Sequence, residues 1–143
     1  MACFYSSNKT DALSIVEEGK RISGLGERLQ ERVNGYSKGM KRRLLIARAL
    51  MMKPRLAILD EPTSGLDVTQ SIHVRNMIKE YADKQGVTVL LSSHNMLEVE
   101  YLCSMVALIN NGVVMAEGSP DELRDRYGAK NLEEVFMEVT RVA

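Results

Sequence analysis

Two adjacent carboxylates, Asp60 and Glu61, close the short apolar run Leu56-Ala-Ile-Leu59 and lead into Pro62. A brief apolar run bounded by turn formers reads as a buried strand of a parallel sheet. Ligands of open parallel sheets bind at the C-terminal ends of the strands, where both carboxylates would sit. The first can hold Mg²⁺ directly or through water. The second can polarise a water for attack on a phosphoryl group. A strand that merely ends in a polar turn gives the same string, so the pair alone does not decide the chemistry.

Three further clusters bear on it. Tyr36-Ser37-Lys38-Gly39-Met40 opens a helix-forming stretch. A Ser hydroxyl, a Gly amide and a helix N-terminus together make an anion site, although an isolated Ser-x-Gly is more often an ordinary N-cap. Ser64-Gly65-Leu66-Asp67 is a tight turn directly after the carboxylates. His94 follows a second apolar run and Ser92-Ser93. A histidine at the end of a parallel strand can touch a terminal phosphate, while a lone histidine is more often structural.

These residues need elements to hold them. Residues 10–22 read as a helix broken at Gly24 and Gly26. Residues 37–52 are rich in good helix formers, and Pro54 stops them. Val68, Ile72, Met77, Ile78, Tyr81 and Ala82 fall near helical spacing, with Gly86 placed as a C-terminal cap. Val87–Leu91 is a second buried strand. Asn95 with Glu98 resembles a capping box. Met105–Ile109 and Val113–Glu117 flank Asn110-Asn111-Gly112, a hairpin signal. Ser119-Pro120-Asp121-Glu122 combines an N-cap, a proline at N1 and an acidic first turn. Asn131 starts a last helix with Leu132, Val135, Phe136 and Val139 on one face. Strands alternating with helices argue for a parallel α/β sheet with crossover helices.

Composition narrows the class. The chain has 143 residues, 45% of them apolar, which suits one globular core. Lys+Arg and Asp+Glu are both 19, so no overall field steers it to nucleic acid. A basic cluster around Lys41, Arg42, Arg43 and Arg48 reads as a solvated helix face, or else as a phosphate- or partner-facing surface. Cys3 and Cys103 form no metal-spaced pair, which fits a reduced cytosolic protein. The N-terminus has no signal-peptide pattern, and no apolar run approaches the roughly 20 residues of a membrane helix. Membrane association would have to come through a partner.

The order and spacing of the four clusters resemble the nucleotide-binding domain of ABC transporter ATPases. Tyr36–Met40 is similar to the family's signature motif, Leu56–Glu61 to Walker B, Ser64–Asp67 to the D-loop and His94 to the switch histidine. Lys38 stands where the signature more usually has glycine, a variant familiar in the drug- and lipid-exporter branch. Asn131–Thr140 resembles the end of that branch. The resemblance implies an α/β fold: a partial P-loop NTPase-like parallel sheet, a remnant of the helical subdomain, and a C-terminal hairpin with helices. Residues 1–53 would be the partial helical subdomain with the signature helix, Phe4-Tyr5 being a remnant of its first helix. Residues 54–143 would be the C-terminal part of the ATPase core.

The resemblance also assigns roles. Asp60 would serve Mg²⁺, Glu61 the attacking water, and His94 the γ-phosphate. Ser37 and Gly39, flanked by Lys38 and Met40, would face the γ-phosphate of ATP held by a second nucleotide-binding domain, paired head-to-tail. Asp67 would make cross-dimer contacts. A transmembrane permease would hold the subunit at the cytoplasmic face of the membrane. No segment matches G-x-x-x-x-G-K-[ST], and Gly24-Leu-Gly26 lacks the Lys. The reading is therefore the C-terminal part of an exporter ATPase, inactive alone. The alternative is a truncated binding module lending its signature in trans. A soluble ABC ATPase of translation or repair would carry tandem domains or coiled-coil insertions, which this sequence lacks. In the family the strand entering the P-loop lies between those equivalent to Val87–Leu91 and Met105–Ile109, so both should have an open edge here.

Overall fold

The structure, a computed structural model, describes residues 8–141. Cys3, Phe4 and Tyr5 lie outside the described residues. The chain divides into two compact units, Met1–Ser92 and Ser93–Ala143.

In the first unit, α1 (Lys9–Ser23) starts at Asn8, whose side chain accepts the Asp11 amide, and ends at Gly24 in the left-handed conformation. Two short 3₁₀ turns, Gly26–Gln30 and Val33–Gly35, lead to α2 (Lys38–Leu50). Then come strand β1 (Leu56–Asp60), helix α3 (Val68–Gln85) and strand β2 (Thr88–Ser92). Helix α3 is the crossover that a parallel pair requires, and Gly86 closes it at φ +63°. Strands β1 and β2 pair in parallel from Leu56 opposite Thr88 to Asp60 opposite Ser92.

The core of this unit is built from Ile46, Ala47 and Leu50 of α2, Ala57 and Leu59 of β1, and Val74, Ile78 and Tyr81 of α3. Tyr81 places its ring in this core and donates its hydroxyl to the Leu50 carbonyl at 2.6 Å. Helix α2 therefore ends against α3 through one directed bond as well as apolar contact.

Both strands read from sequence as buried, and they are only partly so. Residues of β1 alternate, with Ala57 and Leu59 buried and Leu56 and Ile58 exposed. In β2 no residue is fully buried, and Leu90 opposite Ile58 is 58% exposed. Only one face of the pair meets helices among the described residues. An apolar run reports that burial is wanted, not that both covers are present.

The second unit holds α4 (Met96–Leu102), β3 (Val106–Asn110), β4 (Val113–Gly118), α5 (Pro120–Tyr127) and α6 (Leu132–Arg141). Asn111 and Gly112 both have positive φ, as a two-residue hairpin turn requires, and β3 and β4 pair antiparallel around them. Ser119 and Glu122 form a reciprocal capping box on α5. The Ser119 amide holds the Glu122 carboxyl below its ordinary range. Val99, Leu108, Ala116, Leu123, Leu132, Val135 and Val139 form one core, with Phe136 packed against it. Among the described residues β2 pairs only with β1, and β3 only with β4, so each keeps an open edge.

Two expectations follow. Tyr81→Phe removes the bond to Leu50 while keeping the ring. Because the Lys53 amide still donates to that carbonyl, urea denaturation should show a loss of only about 1 kcal/mol. Open strand edges and the exposed Leu56, Ile58 and Leu90 favour association. Light scattering should show an average mass rising with concentration. A monomer throughout, with β2 strongly protected from hydrogen exchange, would contradict this.

Candidate active site

Strand β1 ends with Asp60 on the same exposed face as Leu56 and Ile58. Its partner across the sheet is Ser92, the last residue of β2. The Ser92 hydroxyl donates to Asp60 Oδ1. The Glu61 amide is directed at both the Ser92 carbonyl, at 3.0 Å, and the Ser92 hydroxyl oxygen, at 3.2 Å. One serine therefore fixes two consecutive residues at the sheet edge. Glu61 itself has φ +48°, a left-handed conformation that costs a non-glycine residue roughly 1–2 kcal/mol. Backbone strain of this kind collects at functional sites.

The chain then turns tightly. The Ser64 amide donates to the Glu61 carbonyl and the Leu66 amide to that of Thr63. Gly65 sits at φ +68° with the Lys38 ammonium against it. A Cβ at position 39 would lie 2.5 Å from Gln70 Oε1, so Gly39 lets the start of α2 approach α3 closely. The structure thus brings Ser37–Met40 beside Ser64–Asp67. Ser37 Oγ accepts the Met40 amide at 3.2 Å, and Asp67 Oδ1 accepts the Gln70 amide at 2.9 Å. Both side chains are helix N-caps. Ser37 and Lys38 are exposed, Gly39 is buried and Met40 half-buried.

His94 belongs to the second unit, in the turn leading to α4. Its neighbours form a small network. The Ser93 hydroxyl donates to Glu98 Oε2 at 2.5 Å, the Asn95 amide donates to Ser93 Oγ at 3.1 Å, and the Glu98 amide donates to Asn95 Oδ1 at 3.3 Å. The expected capping box at Asn95 is only half formed, because Glu98 turns to Ser93 instead of the Asn95 amide.

Of the basic cluster, Arg43 is structural. Its guanidinium donates to the Ser23 and Gly24 carbonyls at the end of α1, and burial lowers its pKa. It lines a cleft of about 300 Å³ together with Arg21, His73 and Tyr81, and none of the candidate residues is in that lining. Ser92, Ser93, Gln70 and Glu98 were missed as site residues. The Ser-Ser-His run was the one available signal for the serines.

Among the described residues no group of three or more His, Cys, Asp or Glu could cage a metal. Mg²⁺ needs no such cage, since it is commonly bound by one or two carboxylates with phosphate and water. Asp60 is exposed, offers a hard oxygen ligand and has one oxygen steadied by Ser92. The residues fit.

The ABC transporter family profile matches residues 7–64. The ABC transporter ATP-binding protein NatA of Bacillus subtilis is 36% identical over 133 residues, covering 93% of this chain and 54% of NatA. The chain belongs to the ATP-binding domains of ABC transporters. The Nod factor export ATP-binding protein I of Bradyrhizobium diazoefficiens is 41% identical over 126 residues, covering 86% of this chain and 40% of that protein. The chain thus spans about half the length of NatA and less of the other. The solved structure of an ATP binding subunit of an ABC transporter superposes with TM-score 0.77 at 30% identity, covering 97% of this chain and 58% of that one. A dimeric ATP-binding cassette in a post-hydrolysis state, bound to ADP and Pi, gives TM-score 0.66 at 23% identity, covering 80% and 49%. The expected family and fold class are borne out. No helix among the described residues is long and apolar enough to cross a membrane.

Within this ABC ATP-binding domain, Ser92 ties the end of β1 to the neighbouring strand. Ser92→Ala removes the donor to Asp60 and one acceptor for the Glu61 amide. In this exposed setting it should lower stability by about 1 kcal/mol, read as a lower urea midpoint with unchanged slope.

Proposed function

We propose that this chain is part of the ATP-hydrolysing subunit of an exporter, driving transport through a separate membrane-spanning permease at the cytoplasmic face. The observation that carries the reading is the pinned Asp60–Glu61 pair at the end of β1, with the N-terminus of α2 beside the turn that follows it. The name of the Nod factor export ATP-binding protein supports export as the direction of transport.

Asp60 would hold Mg²⁺, which when bound offsets the negative charge of the phosphates. Glu61 accepts a proton from the attacking water, from a backbone that two bonds to its amide hold in place. His94 donates to the γ-phosphate. Asp67 faces the second nucleotide-binding domain in a head-to-tail dimer. Ser37 keeps its hydroxyl proton available to a phosphate of the opposite nucleotide, because its oxygen, and not its proton, serves the helix cap. The Gly39 amide at the N-terminus of α2 adds a second donor, and the Lys38 ammonium and Met40 flank the same phosphate. No nucleic acid is involved.

A second reading gives the chain a binding role only. In it the chain lends Ser37–Met40 in trans to a complete ATPase and does not hydrolyse ATP itself. Under either reading the 143-residue chain should bind Mg-ATP only weakly, because P-loop amides and their Lys make most phosphate contacts. Titration calorimetry should show no micromolar binding, and micromolar affinity would overturn both. In a protein in which this sequence is preceded by a P-loop, Glu61→Gln should retain nucleotide and trap a dimer while losing most turnover. Turnover at the parent rate would remove Glu61 from the role of base. Asp60→Asn should instead weaken the dependence on Mg²⁺ concentration.

A further inference from the structure

We infer that Glu98 is the positioning residue that sets the conformation of the His94 turn, acting through Ser93. Only its consequence for turnover rests on the ATPase reading. Glu98 is 1% exposed, the one acidic side chain so deeply buried among the described residues. One carboxylate oxygen, Oε2, takes the Ser93 hydroxyl at 2.5 Å. The other, Oε1, has no hydrogen-bond partner. Burying a carboxylate with half its acceptors unmet opposes folding, so the residue is hard to explain as a stability device. A buried apolar side chain would carry no such loss. The Cys103 thiol lies in the same environment, raised by burial first and then by the Glu98 charge.

What the carboxylate does instead is fix a rotamer. With its proton committed to Glu98, Ser93 Oγ presents a lone pair to the Asn95 amide. Asn95 in turn caps α4 by accepting the Glu98 amide. The three residues close a ring of side-chain and backbone bonds around the one residue between Ser93 and Asn95, which is His94. A histidine in a turn has two free backbone dihedrals and two side-chain dihedrals. This ring removes the backbone pair from play, and the imidazole is then presented from a fixed base. Gln at position 98 could still accept the Ser93 proton through its amide oxygen, whereas Leu could not.

The test uses the 143-residue chain and needs no nucleotide. Hydrogen exchange is measured for the Asn95 amide and for the slowly exchanging imidazole C2–H of His94, with His73 as internal control on a separate peptide. Ser93→Ala and Glu98→Leu should each speed exchange of the Asn95 amide at least tenfold and change the His94 C2–H rate at least twofold. Glu98→Gln should stay within twofold of the parent at both, and His73 should not move in any variant. Unchanged His94 and Asn95 exchange in Ser93→Ala overturns the proposal, even if Glu98→Leu fails to fold. Equal effects from Glu98→Gln and Glu98→Leu also overturn it, because they would make charge or packing the cause. In a P-loop-containing parent, kcat should fall in Glu98→Leu with KM nearly constant and recover in Glu98→Gln. Altered exchange with unchanged kcat would show that His94 is held by Glu98 but takes no part in turnover. An inactive parent would count against the ATPase reading and leave the exchange result standing.

Discussion

The two carboxylates of the candidate site depend on the register of one pair of five-residue strands. Asp60 stands opposite Ser92, and the side-chain period of a strand is two. A slip by one residue would turn Leu59 outward and Asp60 into the core, carrying the carboxylate away from the edge. Two things oppose that slip. Ala57 and Leu59 bury on one face against the helices, and the Ser92 hydroxyl and carbonyl lock the last rung. The apolar half of the constraint is collective and the polar half is a single residue. That asymmetry explains why the end of β1 can hold a strained Glu61 at all: the strain is opposed by two directed bonds to its own amide and by a strand already fixed in register.

The two units differ in how far they are self-sufficient. The second closes a complete core from both strands of its hairpin and three helices. Its ends are sealed locally, by the Ser119 capping box and by the Asn131 side chain on the Glu134 amide. The first leaves Leu56, Ile58 and Leu90 on an uncovered sheet face. Among the described residues no helix of the first unit covers that face.

Local signals carried most of the fold. The helices at Lys38–Leu50 and Val68–Gln85, the Asn111-Gly112 turn and the Ser119-Pro120 start were all legible because each rests on residues a few positions apart. The uncovered strand faces were not legible, since an apolar run is the same string whether its second cover is present or absent. Asp60 and Glu61 could be placed at a strand end from sequence, but their anchor at Ser92 lies 32 and 31 residues away and gave no signal nearby. Glu98 was read as a capping residue from its spacing to Asn95. The competing bond to Ser93 won because it satisfies a buried carboxylate, which the exposed Asn95 amide would not do as well. The left-handed backbone of Glu61 has no sequence signature, for the residue before a proline is ordinarily extended.

The identity of the helix caps adds a final constraint. Ser37 and Asp67 are both N-caps, and each accepts the amide three residues on. For capping alone, Ser, Asp and Asn are nearly equivalent. They are not equivalent toward a phosphate. A serine oxygen can accept the helix amide while its proton points outward as a donor, so one side chain both caps the helix and binds an anion. An ionised aspartate can cap but has no proton to give, and its charge would repel the phosphate. Position 37, two residues before Gly39 in the proposed phosphate-facing segment, is therefore restricted to a cap that keeps a donor, while position 67 is free to be acidic. That is the distribution the two positions show, and capping strength by itself gives no reason for it.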